Sequence, residues 1–110
     1  MWLTRTCTRF LRLKLALTED WPTVKPYDEK LWAETAEVSG PVDAPLALLV
    51  PLHARMSALL ASVRPEDWTG RGYVHPESGR ATLEQVVALY SWHGRHHTAH
   101  VTELRKRMGW

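Results

Sequence analysis

The chain has 110 residues, of which 45% are hydrophobic and 24% are charged, and its formal net charge is +2. This length and composition predict a single soluble globular domain. The charge is too small and too scattered to favour nucleic acid as a partner. Cys7 is the only cysteine, so an intramolecular disulfide is excluded and a reducing, cytoplasmic location is expected. No apolar run approaches about 20 residues, so no membrane association is predicted.

The first helix is predicted over residues 10–17, ending before the acidic and proline-containing stretch 19–22. Ahead of it, threonines at every second position alternate with Arg5, Cys7 and Arg9. A period of two is typical of a strand, so we expect this segment to be extended. The connection over residues 20–41 is expected to contain a short helix around residues 28–37.

A second helix is predicted over residues 43–64, with Asp43 as its cap and Pro51 bending its axis. Its apolar face is expected to consist of Leu46, Leu49, Val50, Met56, Leu60 and Val63. His53 falls on this face, where it is either a packed core histidine or a metal ligand. The connection over residues 65–81 is predicted to include a small hairpin.

The clearest helix is predicted over residues 82–108, with a capping box formed by Thr82 and Gln85 and a stop at Gly109. Its apolar stripe consists of Leu83, Val86, Val87, Tyr90, Val101, Leu104 and Met108. Four histidines lie on this helix, at positions 93, 96, 97 and 100. Helical geometry places His93 and His97 in the stripe, His100 at its margin and His96 outside it.

Two inward histidines one turn apart supply half of a zinc-type site. The residue after His93 is Gly94, which differs from the glutamate of the zinc-protease motif. A catalytic zinc normally has three protein ligands, so a third ligand is needed. The candidates within the chain are His53, His75, His100, Asp28 and Glu29. An alternative hypothesis is a metal-free, proton-sensitive packing layer of histidines.

Several segments together resemble the YfiT-like branch of the DinB superfamily: residues 25–29, 46–53, 74–79, 89–97 and 102–110. This branch includes candidate metal-dependent hydrolases and bacillithiol S-transferases. The resemblance implies a four-helix bundle and a zinc or nickel ion held by three histidines, two of which correspond to His93 and His97. It implies that the metal activates water, or a small thiol that attacks an electrophile.

The front of the chain departs from the family pattern, because the family's first helix and the loop after it have no counterpart. Family members carry a segment like His-Val-Ala-Asp-Ser-His-Met before Phe10, and its leading histidine is the third ligand. A one-base shift of the codons for residues 1–7 is compatible with that segment. We therefore expect residues 1–9 to be translated out of the family frame, in a partial domain.

The resulting fold prediction is an all-α bundle with three main helices and structured loops. With two histidines left, the metal is expected to be held weakly. Besides His53 and His100, the candidate pocket residues are Tyr27, Asp28, Glu29 and Arg95. Residues 27–29 are explained equally well as a carboxylate cluster at the start of a helix. Arg95 is a candidate contact for an anionic thiol, but the sequence favours a solvated arginine on the helix surface. The alternative function is an inactive, truncated remnant, whose exposed apolar groove would favour a homodimer.

Overall fold

The computed structural model describes residues 2–110 and is mainly helical. Its elements in chain order are α1 (Trp2–Thr18), α2 (Glu29–Ala33), a 3-10 turn (Ala36–Ser39), α3 (Asp43–Ala61), α4 (Asp67–Gly70), β1 (Gly72–His75), β2 (Gly79–Thr82) and α5 (Leu83–Met108). Helices α1, α3 and α5 are the three main helices, as predicted, and the hairpin and the short helix near residue 30 are confirmed.

Helix α1 includes the segment that we expected to be extended, so the strand prediction for residues 4–9 is wrong. The positions that face the core follow helical spacing, and Thr6, Leu13 and Ala16 are all buried. The Thr6 hydroxyl donates to the Trp2 carbonyl at 2.8 Å, which satisfies this buried polar group within the helix. Helical packing of one face therefore overrides the alternation of residue types.

The core lies between α1, the hairpin and the first turns of α5. Its buried residues are Leu13, Ala16, Val24, Tyr73, Leu83 and Val86. The hairpin is antiparallel, with Tyr73 opposite Ala81, and a bridge between Thr23 and Val74 attaches the segment after α1 to it. At Gly72 an added Cβ would lie 1.9 Å from the Ala81 carbonyl oxygen, so only glycine fits there.

Helix α3 packs along α1 but differs from its prediction in three details. It ends at Ala61, and Asp43 is its first residue, with Val42 at the cap position and no side-chain capping bond. Val50, expected in the core face, is 76% exposed, and Leu46 is 58% exposed. Met56 and its neighbours toward the C-terminal end pack against the core. A helix that is apolar around much of its circumference has no single stripe from which to predict its buried side.

By length and composition, α3 also lies in the range of a membrane-spanning helix, with a mean hydropathy of 1.5 over its best window. The expectation that no segment approaches such a span is therefore wrong by these two measures. None of the residues in this window is buried in the structure, and a single helix of this length and composition is weak evidence for a membrane.

Helix α5 begins and ends where the sequence predicts. Thr82 and Gln85 form the reciprocal capping box, and Gly109 adopts a left-handed φ of 72° as the C-terminal cap. The stripe is buried only in its first turns. Val101, Leu104 and Met108 continue the predicted stripe but are exposed, because no described element covers that end of the helix.

Candidate functional site

The candidate site lies where α1 passes the middle of α5. His93 and His97 both face inward and are half-buried, whereas His96 and His100 are exposed. The Nε2 atoms of His93 and His97 are 2.8 Å apart, and their ring centroids are 4.5 Å apart. The spacing argument therefore selected the correct pair, because positions four apart on a helix place their side chains on the same face.

Two arginines of α1 contact His93 from the opposite side. Arg9 Nη2 lies 2.9 Å from His93 Nδ1, and Arg5 Nη1 lies 3.4 Å from His93 Nε2. An arginine can only donate, so the close Arg9 contact makes Nδ1 of His93 the acceptor. A neutral His93 then carries its proton on Nε2 and can donate it to Nε2 of His97, so Arg5 at 3.4 Å faces this nitrogen without a hydrogen bond to it.

This environment disfavours the charged form of His93. Burial lowers the pKa of His93, and the positive charge of Arg9, the neighbouring His97 and the charge of Arg5 lower it further. His93 is therefore the neutral member of a cationic cluster.

Two cavities border His93, and Arg5 and Arg9 line both of them. The larger, of about 630 Å³, reaches Tyr27 and the hairpin. The smaller, of about 290 Å³, lies between the pair and α3. His53 and Trp2 line the smaller cavity, and the Trp2 and His97 ring centroids are 6.1 Å apart.

Tyr27, Asp28 and Glu29, which were also predicted as site residues, each make a different contact. Tyr27 lines the larger cavity and packs against Trp32, with ring centroids 4.7 Å apart. Asp28 accepts from the Leu31 backbone N–H at 3.0 Å and so caps α2. Glu29 accepts from Arg5 at 2.8 Å. The structure thus places Tyr27 and Glu29 at the cavity, while Asp28 has a local capping role.

The remaining candidates lie apart from the pair or at its edge. Exposed His53 donates from Nδ1 to the Leu49 carbonyl at 2.8 Å, with its ring at the rim of the smaller cavity. His75 Nδ1 accepts from the Glu77 backbone N–H at 3.2 Å. Arg95 is exposed and lines neither of the two cavities, which agrees with a solvated arginine on the helix surface.

Trp92 is exposed and stacks on His96, with ring centroids 4.8 Å apart. His96 therefore has an aromatic partner at the surface and lies outside the site, as the sequence predicted.

The fit of this arrangement to a divalent metal is partial. Two tetrahedral zinc ligands with nitrogen bonds of about 2.0–2.1 Å have their nitrogens about 3.3 Å apart, so the pair would have to open slightly. Within residues 2–110 no group of three His, Cys, Asp or Glu side chains converges on one point. The third histidine that the resemblance implies is expected at position 1, which lies outside the described residues.

Arg9 presents a further obstacle. A histidine that binds metal through Nε2 normally carries its proton on Nδ1 and donates it to an acceptor. Here Nδ1 of His93 faces a guanidinium, which is itself a donor. The described residues therefore fit a metal as two ligands and do not complete a catalytic centre.

The sequence analysis did not identify Arg5 and Arg9 as site residues, because both lie in residues 1–9, the segment expected to be translated out of the family frame. A signal was available: Arg5, Arg9 and Arg12 are spaced four and three apart, which places them on one face of a helix. It also missed the contact between the Tyr73 and Tyr90 hydroxyls, whose oxygens are 3.1 Å apart at the floor of the larger cavity.

A comparison with known proteins matches residues 2–101 to the sequence profile of the DinB superfamily. The chain belongs to the DinB superfamily. Relatives in this superfamily from Bacillus mycoides and Bacillus cereus are each 50% identical over 101 residues, and both are named as candidate metal-dependent hydrolases. The match covers 92% of this chain and 58% of each relative, so the chain spans little more than half of their length.

The fold agrees with a solved DinB structure. YfiT from Bacillus subtilis, described as a candidate metal-dependent hydrolase with an unusual four-helix bundle topology, superimposes with a TM-score of 0.88 and 42% sequence identity. The superposition covers 98% of this chain and 62% of YfiT. The predicted fold class and family are both confirmed.

Proposed function

We propose that this DinB protein acts through a divalent metal, zinc or nickel, with His93 and His97 as two of its ligands. The observation that carries the proposal is the convergence of the two Nε2 atoms to 2.8 Å at the junction of two cavities. The names of the relatives support metal dependence. With only two protein ligands among the described residues, we expect weak binding.

A bound divalent metal supplies one kind of chemistry, which is to lower the pKa of a coordinated water or thiol. The surrounding residues bind and orient. When Nε2 of His93 binds metal, Nδ1 carries the proton, so Arg9 would have to turn away from Nδ1. The Arg9 guanidinium lies 4.5 Å from the centre of the Tyr90 ring, which can hold it at the cavity wall. Burial and the neighbouring Tyr73 raise the pKa of Tyr90, so its hydroxyl stays protonated and available as a donor.

The substrate chemistry divides into two forms of the proposal. In one, water attacks a hydrolysable small molecule. In the other, a small thiol attacks an electrophile in an S-transfer reaction. The larger cavity, at about 630 Å³, is within the size range of small-molecule sites and accommodates either.

A second candidate is that the chain is catalytically inactive. Arg5 and Arg9 favour it, because two guanidinium groups within 3.4 Å of the His93 ring nitrogens repel a divalent cation. Under this alternative the fold is retained, and the histidine pair remains hydrogen-bonded without metal.

Metal titration beside YfiT from Bacillus subtilis tests the proposal. We expect calorimetry with zinc or nickel chloride to give saturable binding at one site, weaker than that of YfiT. It should be abolished in His97→Ala and retained in His100→Ala, whose histidine is exposed on the same helix. Wild-type chain that binds neither metal would contradict the proposal.

Activity assays then distinguish the metal-dependent enzyme from the catalytically inactive chain. The metal-loaded chain is assayed with a chromogenic ester for hydrolysis and with a small thiol plus an alkylating agent for S-transfer. Turnover that disappears in His97→Ala supports the enzyme. Metal binding without turnover in either assay supports the inactive alternative.

A further inference from the structure

One face of α1 carries three arginines into the larger cavity. Arg5, Arg9 and Arg12 occupy successive turns, and all three line this space together with Tyr27 and Tyr73. The helix fixes the spacing of their backbone atoms. Contacts with His93 and with the Lys25 carbonyl hold the side chains of Arg9 and Arg12 before any ligand arrives. Preorganised donors lose less conformational entropy on binding than flexible ones.

The arginines differ in how far they are neutralised. Arg5 forms an ion pair with Glu29 at 2.8 Å. Arg9 contacts the ring of His93, which carries no negative charge, and Arg12 donates to the Lys25 carbonyl oxygen at 3.1 Å. Within residues 2–110, neither Arg9 nor Arg12 has a carboxylate within ion-pair distance.

The acidic groups at the cavity are Glu29 and Glu77, against the three arginines. Glu29 is engaged by Arg5 and shows which chemical group the arginine face accepts, namely a planar oxyanion. Two guanidinium groups stay without a counter-charge beside an open cavity of about 630 Å³. Such an arrangement attracts anions and concentrates them locally.

Polar groups that could bind the rest of a ligand lie on the floor of the same cavity. The hydroxyls of Tyr73 and Tyr90 lie within hydrogen-bond distance of each other. Each hydroxyl can also form a hydrogen bond with a bound ligand, as donor or as acceptor. The Tyr90 ring lies under the Arg9 guanidinium, which keeps that cation close to the cavity wall.

We propose that this cavity binds a small molecule through a carboxylate or phosphate group, held by Arg9 and Arg12 beside the Tyr73 and Tyr90 hydroxyls. The anion neutralises two arginines that have no carboxylate partner in the described chain. Binding requires no metal at His93 and His97, so the inference stands independently of the proposed function. It places anion recognition on α1, whereas Arg95 is directed to solvent.

Calorimetry on the full chain, in chelator and at low ionic strength, tests this with two probes: inorganic phosphate and succinate. We expect saturable binding of at least one probe, weakening as salt is added. Arg12→Gln and Arg9→Gln should each weaken it about tenfold or more, since each removes charge-assisted hydrogen bonds. Arg95→Gln, a matched loss of charge on an exposed helix surface, should leave the affinity unchanged.

Two further variants keep the result interpretable. Arg12→Lys retains the charge and the fold but loses the planar fork, so it should bind more weakly than wild type and more tightly than Arg12→Gln. Glu29→Gln releases Arg5 and should increase the affinity severalfold. Circular dichroism checks that each variant is folded.

The preferred probe identifies the group: selective binding of phosphate indicates a phosphate ester, and selective binding of succinate indicates a carboxylate. No saturable binding of either probe overturns the inference. The inference is also overturned if Arg9→Gln and Arg12→Gln bind the probe as tightly as the wild type does. It is likewise overturned if Arg95→Gln weakens binding as much as these two substitutions do. Because chelator is present throughout, these outcomes are separate from the metal titration.

Discussion

The two halves of α5 have the same sequence pattern and different surroundings. In the first half, Leu83 and Val86 are buried against α1 and the hairpin. In the second half, Val101, Leu104 and Met108 continue the stripe, yet all are exposed. The helix is continuous through both halves, which shows that apolar spacing identifies the face of a helix that can be buried. Whether it is buried depends on a second element lying opposite.

The site lies at the boundary between these halves. His93 is the last residue of α5 with several partners from α1, whereas the residues after His97 contact mainly their own helix or solvent. Local interactions hold the second half, such as the Lys106 to Glu103 ion pair and the Gly109 cap. Such exposed pairs contribute little stability.

The largest expected difference between the halves is in core packing. Leu83→Ala should lower the free energy of unfolding by about 2–5 kcal/mol, because it leaves a cavity at a fully buried position. Leu104→Ala, the same substitution in the second half, should change it by no more than about 0.5 kcal/mol. Urea denaturation followed by far-UV circular dichroism measures both.

A large loss in Leu104→Ala would contradict the exposure of the second half. Size-exclusion chromatography over a range of concentrations then distinguishes burial in a homodimer, which stays a prediction, from burial within one chain.

A smaller difference is expected from two threonines in the two halves. Thr82→Ala removes the side chain that accepts from the Gln85 N–H in the capping box, and should cost about 1 kcal/mol. Thr98→Ala should be neutral or slightly stabilising. Its hydroxyl donates only to the Gly94 carbonyl, and alanine is the better helix former. Equal losses in thermal denaturation would refute this distinction between a capping and an interior threonine.

The smallest expected difference concerns pH. Because burial and Arg9 lower the pKa of His93 in the folded chain, the unfolded chain takes up a proton first as the pH falls. Stability should therefore be complete above the unfolded pKa of about 6.5 and decline below it. His93→Gln should reduce this decline, while His100→Gln in the exposed half should not.

Unfolding free energies in chelator between pH 5 and 8 check the pH dependence. A wild-type stability that does not change across this range would remove support for the hypothesis of a proton-sensitive histidine layer.

Much of the fold followed from local rules. The capping box at Thr82, the stop at Gly109 and the shared face of His93 and His97 depend only on residues a few positions apart. The same kind of rule failed in α1, where the alternation of residue types predicts a strand. There the burial of Thr6 and Leu13 on one helical face decided the conformation.

The sequence by itself thus determined the family, the three main helices and the histidine pair. Only the tertiary structure decided that Arg5 and Arg9 meet His93, contacts that join residues 88 and 84 positions apart. It also decided that Glu29 pairs with Arg5 and that the end of α5 is uncovered. Periodicity and capping are properties of a short segment, whereas the partner of a side chain depends on how whole helices pack.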